Sequence, residues 1–215
     1  MPEGKLAIGQ PAEWLRPRLV LLCEPSIETL LGLLGASSAN FLYPFSLATA
    51  QAEHREFRAA LQASGATVLD LRDALAAGAD EPGEARERLE RWARASTSYD
   101  FDDSIGRHDR IAAETHFSRT IHELDALDLA DLILLRPTVR FSRHPAGESG
   151  SIRSRFELSP LADAHYMRDP LTTTPAGCIV GRLSLDVRSQ ECDVAAFALE
   201  QLGIAPILRI LSLIH

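Results

Sequence analysis

Cysteine is scarce in this chain of 215 residues: there are three, Cys23, Cys178 and Cys192, an odd number without close pairing. That usage excludes a disulfide-stapled secreted fold and favours a reducing compartment. Basic charge is also in deficit, with 22 Lys and Arg against 30 Asp and Glu and a formal net charge of −8. Nucleic acid and anionic membrane are therefore not expected as main partners. Long hydrophobic runs are missing, and the longest stretches, such as Leu19–Cys23, have the length of a strand. No basic region followed by an apolar core opens the chain, so no secretory signal is read and the expected location is cytoplasmic. Gly-x-Gly-x-x-Gly and phosphate loops are absent; Gly32 and Gly35 lie inside Leu-rich sequence rather than at a strand-to-helix turn. His108, His116 and His122 lack the i, i+4 spacing of a zinc site. No metal and no cofactor is expected.

What is present suits a globular protein. With 46% hydrophobic and 24% charged residues, the chain can bury a sizeable core. Residues 1–17 are polar and proline-punctuated and read as a loosely held arm. Arg18–Cys23 reads as a buried strand, followed by a short helix from Ser26 to Leu34 with Gly35 as its stop. Asn40–Phe45 concentrates aromatics beside a proline. Leu47, Ala50, His54, Phe57 and Leu61 then follow helical spacing up to Gly65, and Ala66–Leu71 returns as a strand.

Residues 72–135 change texture to charged, alanine-rich helices at 84–94, 107–124 and 128–135. Residues 136–157, with Pro145, Gly147 and Gly150, read as a polar, mobile loop. Cys178–Leu183 is a short apolar run behind the Pro175–Gly177 turn signal and reads as a buried strand. A helix capped by Asp186 or Ser189 and carrying Val194, Phe197, Ala198 and Leu202 follows, with Gly203 after its last turn. Ala205–Ile210 completes the pattern as a strand. The fold class is α/β, built from strand–helix–strand units.

Around Cys178–Leu183 the chemistry-bearing residues gather. Tyr166-Met167-Arg168-Asp169 precedes the strand, with Pro170 keeping the Asp169 backbone extended or in a turn. Arg188 and Gln190-Glu191 stand beyond its exit, at the mouth of the helix. An acid and a base flanking one strand can hold the two ends of a zwitterion. A carboxylate is the right group for a guanidinium, because two parallel N–H···O bonds fix distance and plane. Each residue also has a plainer reading: Asp169 as a turn aspartate, Arg188 as a surface charge, Tyr166 as core packing. His54 reads as a half-buried structural histidine. The three cysteines read as small buried hydrophobes rather than nucleophiles.

The ordered set Tyr166-Met167-Arg168-Asp169, Gly177-Cys178-Ile179-Val180 and Arg188 with Gln190-Glu191 resembles the guanidino-group-modifying superfamily of arginine deiminases and amidinotransferases. Glu53-His54, Phe57, Leu61, Gly65, Val68 and Leu71 match that family's first repeat in the same way. The resemblance implies a partial pentein fold, an α/β propeller of which this chain holds two ββαβ-like repeats and a helical insertion. The implied division is 1–71 first α/β repeat, 72–135 helical insertion, and 136–215 loop and second α/β repeat, one incomplete catalytic domain overall.

By the same resemblance Asp169, the catalytic carboxylate, takes the substrate guanidinium and Arg188 takes its α-carboxylate. Tyr166 lines the substrate channel, and Asp163 stands where many deiminases carry an asparagine that contacts substrate. Relatives carry acidic residues in the loop where this chain has Tyr43-Pro44-Phe45, so no contact is carried over there. The implied reaction is Cys-dependent hydrolysis of arginine to citrulline and ammonia. It needs a thiolate, a histidine and a Glu-Gly-Gly-Asp carboxylate, whose motifs are not found in these 215 residues; the expectation is a truncated chain, inactive alone. Amidinotransfer and methylarginine hydrolysis are the alternatives within the superfamily. A non-catalytic binding or assembly module, docking through unfinished sheet edges, is the alternative from another class, and an unrelated α/β protein with a chance match is a third. The expected partner is a small-molecule guanidino compound, with a homo-oligomer left open.

Overall fold

The computed structural model describes residues 9–12, 14–35, 41–143, 151–185 and 188–210. They form seven α-helices and eight strands in a mixed α/β arrangement; no closed barrel or propeller is formed among the described residues. The chain divides into two compact units, one of Met1–Ala77 with Leu161–His215 and one of Gly78–Pro160.

In the first unit, β1 (Leu19–Leu22) and β2 (Thr67–Asp70) pair in parallel, joined by α1 (Ile27–Leu34) and α2 (Leu47–Ala63). These are the apolar run and the helical periods expected from the sequence. The stop after α2 has its physical cause in Gly65, whose φ of 90° is open to glycine at little cost. Ser46 caps α2, its side chain accepting from the Thr49 amide at 3.3 Å. Ser26 stands at the N-cap of α1 without a side-chain cap; instead its amide donates to Glu28 Oε1 at 3.0 Å. Along α2 the half-buried positions include Leu47, Ala50, His54, Arg58 and Leu61, so the inward stripe is displaced from Phe57, which is exposed.

β6 (Leu171–Thr174), β7 (Gly177–Val180) and β8 (Leu208–Arg209) make a three-stranded sheet in that order, β6 antiparallel and β8 parallel to β7. The β7–β8 crossover is α7 (Ser189–Gln201), and nine of its 13 residues are buried. The sequence suggests an apolar stripe; burial instead runs around the helix. Small side chains at Ala195, Ala196 and Ala198 allow close approach, and α3 (Leu71–Ala76) packs on one side while β7 packs on another. Gln201 donates to the Leu75 carbonyl at 3.2 Å, satisfying a buried amide between α7 and α3. Cys178, Leu199 and Ile204 form one apolar cluster, and Val180, Cys192 and Ala196 form another.

In the second unit, α4 (Glu84–Ser96), α5 (Arg107–Glu123) and α6 (Ala126–Leu135) are the expected helices. The expected polar loop is different: its described parts are β4 (Pro137–Arg143) and β5 (Ile152–Leu158), paired antiparallel, with β3 (Ser98–Phe101) parallel to β4. Pro145, Gly147 and Gly150 lie outside the described residues, as does Asp186. One sheet face carries Tyr99, Phe101, Val139 and Phe141, and Phe117 of α5 packs on Tyr99 with ring centroids 4.7 Å apart. The period-two alternation that produces this face is masked in the sequence by charged residues on the other.

Candidate functional site

Residues 161–170 fold as consecutive tight turns, with the amides of Ala164, Tyr166 and Asp169 donating to the carbonyls three residues earlier at 2.9 to 3.1 Å. Pro170 forbids helix continuation at the end of this run. The Gly181 amide then donates to the Pro170 carbonyl at 2.8 Å, stitching the turn to the exit of β7. Because α7 begins next to that exit, Asp163, Tyr166 and Asp169 are brought to the first turn of α7, where Arg188 is the N-cap residue.

Arg188 is the centre of the cluster. Its Nε donates to both carboxylate oxygens of Glu191 at 3.1 Å, and one terminal nitrogen donates to Glu191 Oε2 at 2.8 Å. The other terminal nitrogen donates to Asp169 Oδ2, also at 2.8 Å. Asp163 Oδ2 stands 3.6 Å from Arg188 Nε, an ion-pair distance beyond a good hydrogen bond. The Tyr166 ring lies under the guanidinium, with the Arg188 Cζ 5.6 Å from its centroid, a cation–π arrangement. All four residues singled out in the sequence, Asp163, Tyr166, Asp169 and Arg188, therefore meet. Glu191 joins them and holds Arg188 by a bidentate fork; the i, i+3 spacing of Arg188 and Glu191 carries that signal.

Electrostatically the cluster is unbalanced. Three carboxylates surround one guanidinium, and Asp163 and Glu191 are buried while the Asp169 side chain is 44% exposed. Burial pushes the Asp163 carboxyl up, with Arg188 opposing and Asp169 reinforcing the shift. Burial likewise raises Glu191 against the pull of Arg188. Burial alone would lower Arg188, but its hydrogen bonds to Glu191 and Asp169 outweigh that and hold its pKa up, so it stays charged. Asp163 Oδ2 is buried without a hydrogen-bond donor, an acceptor directed into the cluster with spare capacity.

His165 is a neighbour for which the sequence holds no signal. Its ring sits 4.1 Å from that of Tyr166 and stacks at 6.1 Å on Phe41. Burial lowers its pKa, a backbone hydrogen bond with Ala162 opposes that, and the nearby Arg188 and His54 add to the lowering, all of which favours the neutral imidazole. The three cysteines are all buried and free. Burial pushes the thiols of Cys23 and Cys192 up, and Cys178 is packed with Leu199 and Ile204.

The arrangement can bind cations by its surplus carboxylates and anions by Arg188. The Asp169–Arg188 contact is too short for a molecule to lie between the two groups, so a ligand that bridges them must part them. A family model described as arginine deiminase matches residues 40–201 of the chain. No curated protein matches it.

Proposed function

The chain belongs to the arginine deiminase family, and from that membership we propose that it carries substrate-binding groups of an amidinohydrolase that converts arginine and water to citrulline and ammonia. Asp169 takes the guanidinium of the substrate in a two-point hydrogen bond, and Arg188 takes the α-carboxylate with the N–H groups it now spends on Asp169. Tyr166 supplies an apolar wall beside the alkyl chain. Asp163, with an unused acceptor in the cluster, takes the α-ammonium. The two strand–helix–strand units, β1 to β2 and β7 to β8, are read as blades of the five-bladed α/β propeller of the pentein superfamily.

The observation that carries this reading is the convergence of three carboxylates on one arginine whose own position is fixed by Glu191. With Glu191 engaged by Arg188, Asp169 and Asp163 are left for the two cationic groups of the ligand, and the fork on Glu191 keeps Arg188 in place when Asp169 is drawn away. A guanidinium resists water at neutral pH, so its hydrolysis needs a thiolate nucleophile and a histidine to move protons. The buried thiols of these 215 residues do not fill that role. The chemical step therefore rests on groups other than those gathered at Arg188. An assembly module that binds without reacting would also use these contacts, but a carboxylate–guanidinium site specific for a zwitterion favours the enzyme reading.

Calorimetric titration of the chain with arginine tests the assignment. Binding by the parent and a loss of at least about tenfold in Asp169→Asn are expected, because the amide cannot offer two charged acceptors. Equal binding by both removes Asp169 from the site.

A further inference from the structure

We propose that the free edge of β5 is a self-recognition surface, on which a second copy of this chain adds its own β5 antiparallel to form a continuous six-stranded sheet. The strand is the last in its sheet, paired with β4 alone among the described residues, and all seven of its residues are exposed. An open edge of that length presents unpaired backbone donors and acceptors to another strand. Its side chains decide which strand is accepted.

On one face, Tyr99, Val139 and Phe156 stand in register across β3, β4 and β5. Val139 in the middle is buried, whereas Phe156 at the end of the row is 67% exposed, with Ile152 and Leu158 of the same face also exposed. The apolar row stops at the edge without a neighbour to cover its last ring. On the opposite face Arg155 is placed directly across from Arg140, a like-charge pair. Arg140 is itself served by Asp100 at 2.7 Å and Glu157 at 3.0 Å. Arg155 has no acidic partner among the described residues. The edge thus lacks two things, an apolar neighbour for Phe156 and an acid for Arg155.

A two-fold axis normal to the sheet supplies both. With the axis at Phe156, the two Phe156 rings stand opposite one another, and each Arg155 faces the Glu157 of the other copy. Leu158 then faces Ser154. Moving the axis to Arg155 sets two arginines against each other, and moving it to Ser154 sets Arg153 against Arg155 twice. Of these three central registers only the one at Phe156 opposes no like charges. The arginines and the glutamate reject most strands and admit this one, in the manner by which edge charges select partners.

Sedimentation of the whole chain over about a hundredfold range of concentration tests the proposal, with circular dichroism to verify folding. A reversible dimer is expected, and Phe156→Lys is expected to raise the concentration for half-dimerisation at least about tenfold. Arg155→Glu and Glu157→Arg each place like charges across the axis and are expected to be monomeric alone. Mixed together they restore both pairs and associate. Hydrogen exchange on the unaltered chain gives an independent reading: β5 amides become protected as concentration rises. A monomeric parent, a dimer indifferent to Phe156→Lys, two folded charge variants that stay apart on mixing, or β5 exchange independent of concentration each overturns the proposal.

Discussion

Arg188 and Asp169 are hydrogen-bonded to each other at 2.8 Å, while Glu191 grips the rest of the same guanidinium. In the proposed function these two residues serve opposite ends of arginine, so the contact between them must open for the ligand to enter. Its cost is modest because Asp169 is half exposed to water, whereas the buried Glu191 fork stays closed.

That division of labour predicts discrimination by the carboxylate of the ligand. Agmatine, which keeps the guanidinium and lacks the carboxylate, gains nothing to replace the Asp169–Arg188 bond. It is expected to bind at least about tenfold more weakly than arginine in calorimetric titration. Equal affinities would detach Arg188 from carboxylate recognition.

The sign of the Asp163 shift predicts a pH dependence. A carboxyl with a folded-state pKa above its unfolded one binds protons more tightly when folded. The stability it contributes is fully present below the unfolded pKa and is lost as pH rises through the folded value. Asp163→Asn, uncharged throughout, is expected to be more stable than the parent at neutral pH. The difference shrinks on acidification into the ordinary carboxylate range. Urea unfolding at a series of pH values measures it, and a variant less stable at pH 7 contradicts the burial cost assigned to Asp163.

The three thiols predict the outcome of an activity assay. With all of them buried, this 215-residue polypeptide is expected to release no citrulline from arginine. Citrulline above the uncatalysed background, abolished by a substitution in the chain, would show that a reacting group lies within it.

Gly177 opens β7 with φ 140°, and a Cβ there would come within 2.8 Å of Ile207 Cγ2. Because Ile207 is itself exposed and its methyl can turn aside, the backbone strain dominates. Gly177→Ala is expected to lower unfolding stability by about 2 kcal/mol, read from the midpoint of a urea transition.

The parts of this fold legible in the sequence are those where one local signal decides. Apolar runs gave β1, β2 and β7, and the stops after α2 and α7 were marked by Gly65 and Gly203, both at positive φ. The strands β4 and β5 were hidden because Arg140, Arg153, Arg155 and Glu157 alternate with their apolar residues and turn formers separate the two. The all-round burial of α7 follows from its packing against both α3 and β7, which is a tertiary fact with no local trace. At the site, the places of Asp169 and Arg188 on either side of one strand suggest the two ends of a ligand, whereas their direct hydrogen bond at 2.8 Å is set by the turns of 161–170 and has no local trace. His165 was not foreseeable, because a histidine beside a tyrosine in a turn carries no signature until Phe41 stacks on it.

Arg188 and Glu191 belong to the first turn of the same helix whose Phe197, Ala195 and Ala198 are sealed from water. Whatever takes hold of Arg188 is thereby fastened to a helix buried on nearly every side. Ligand capture would be felt less as a loop folding over than as a bolt seated in a wall, and backbone amides of α7 should be the slowest in this unit to exchange with solvent.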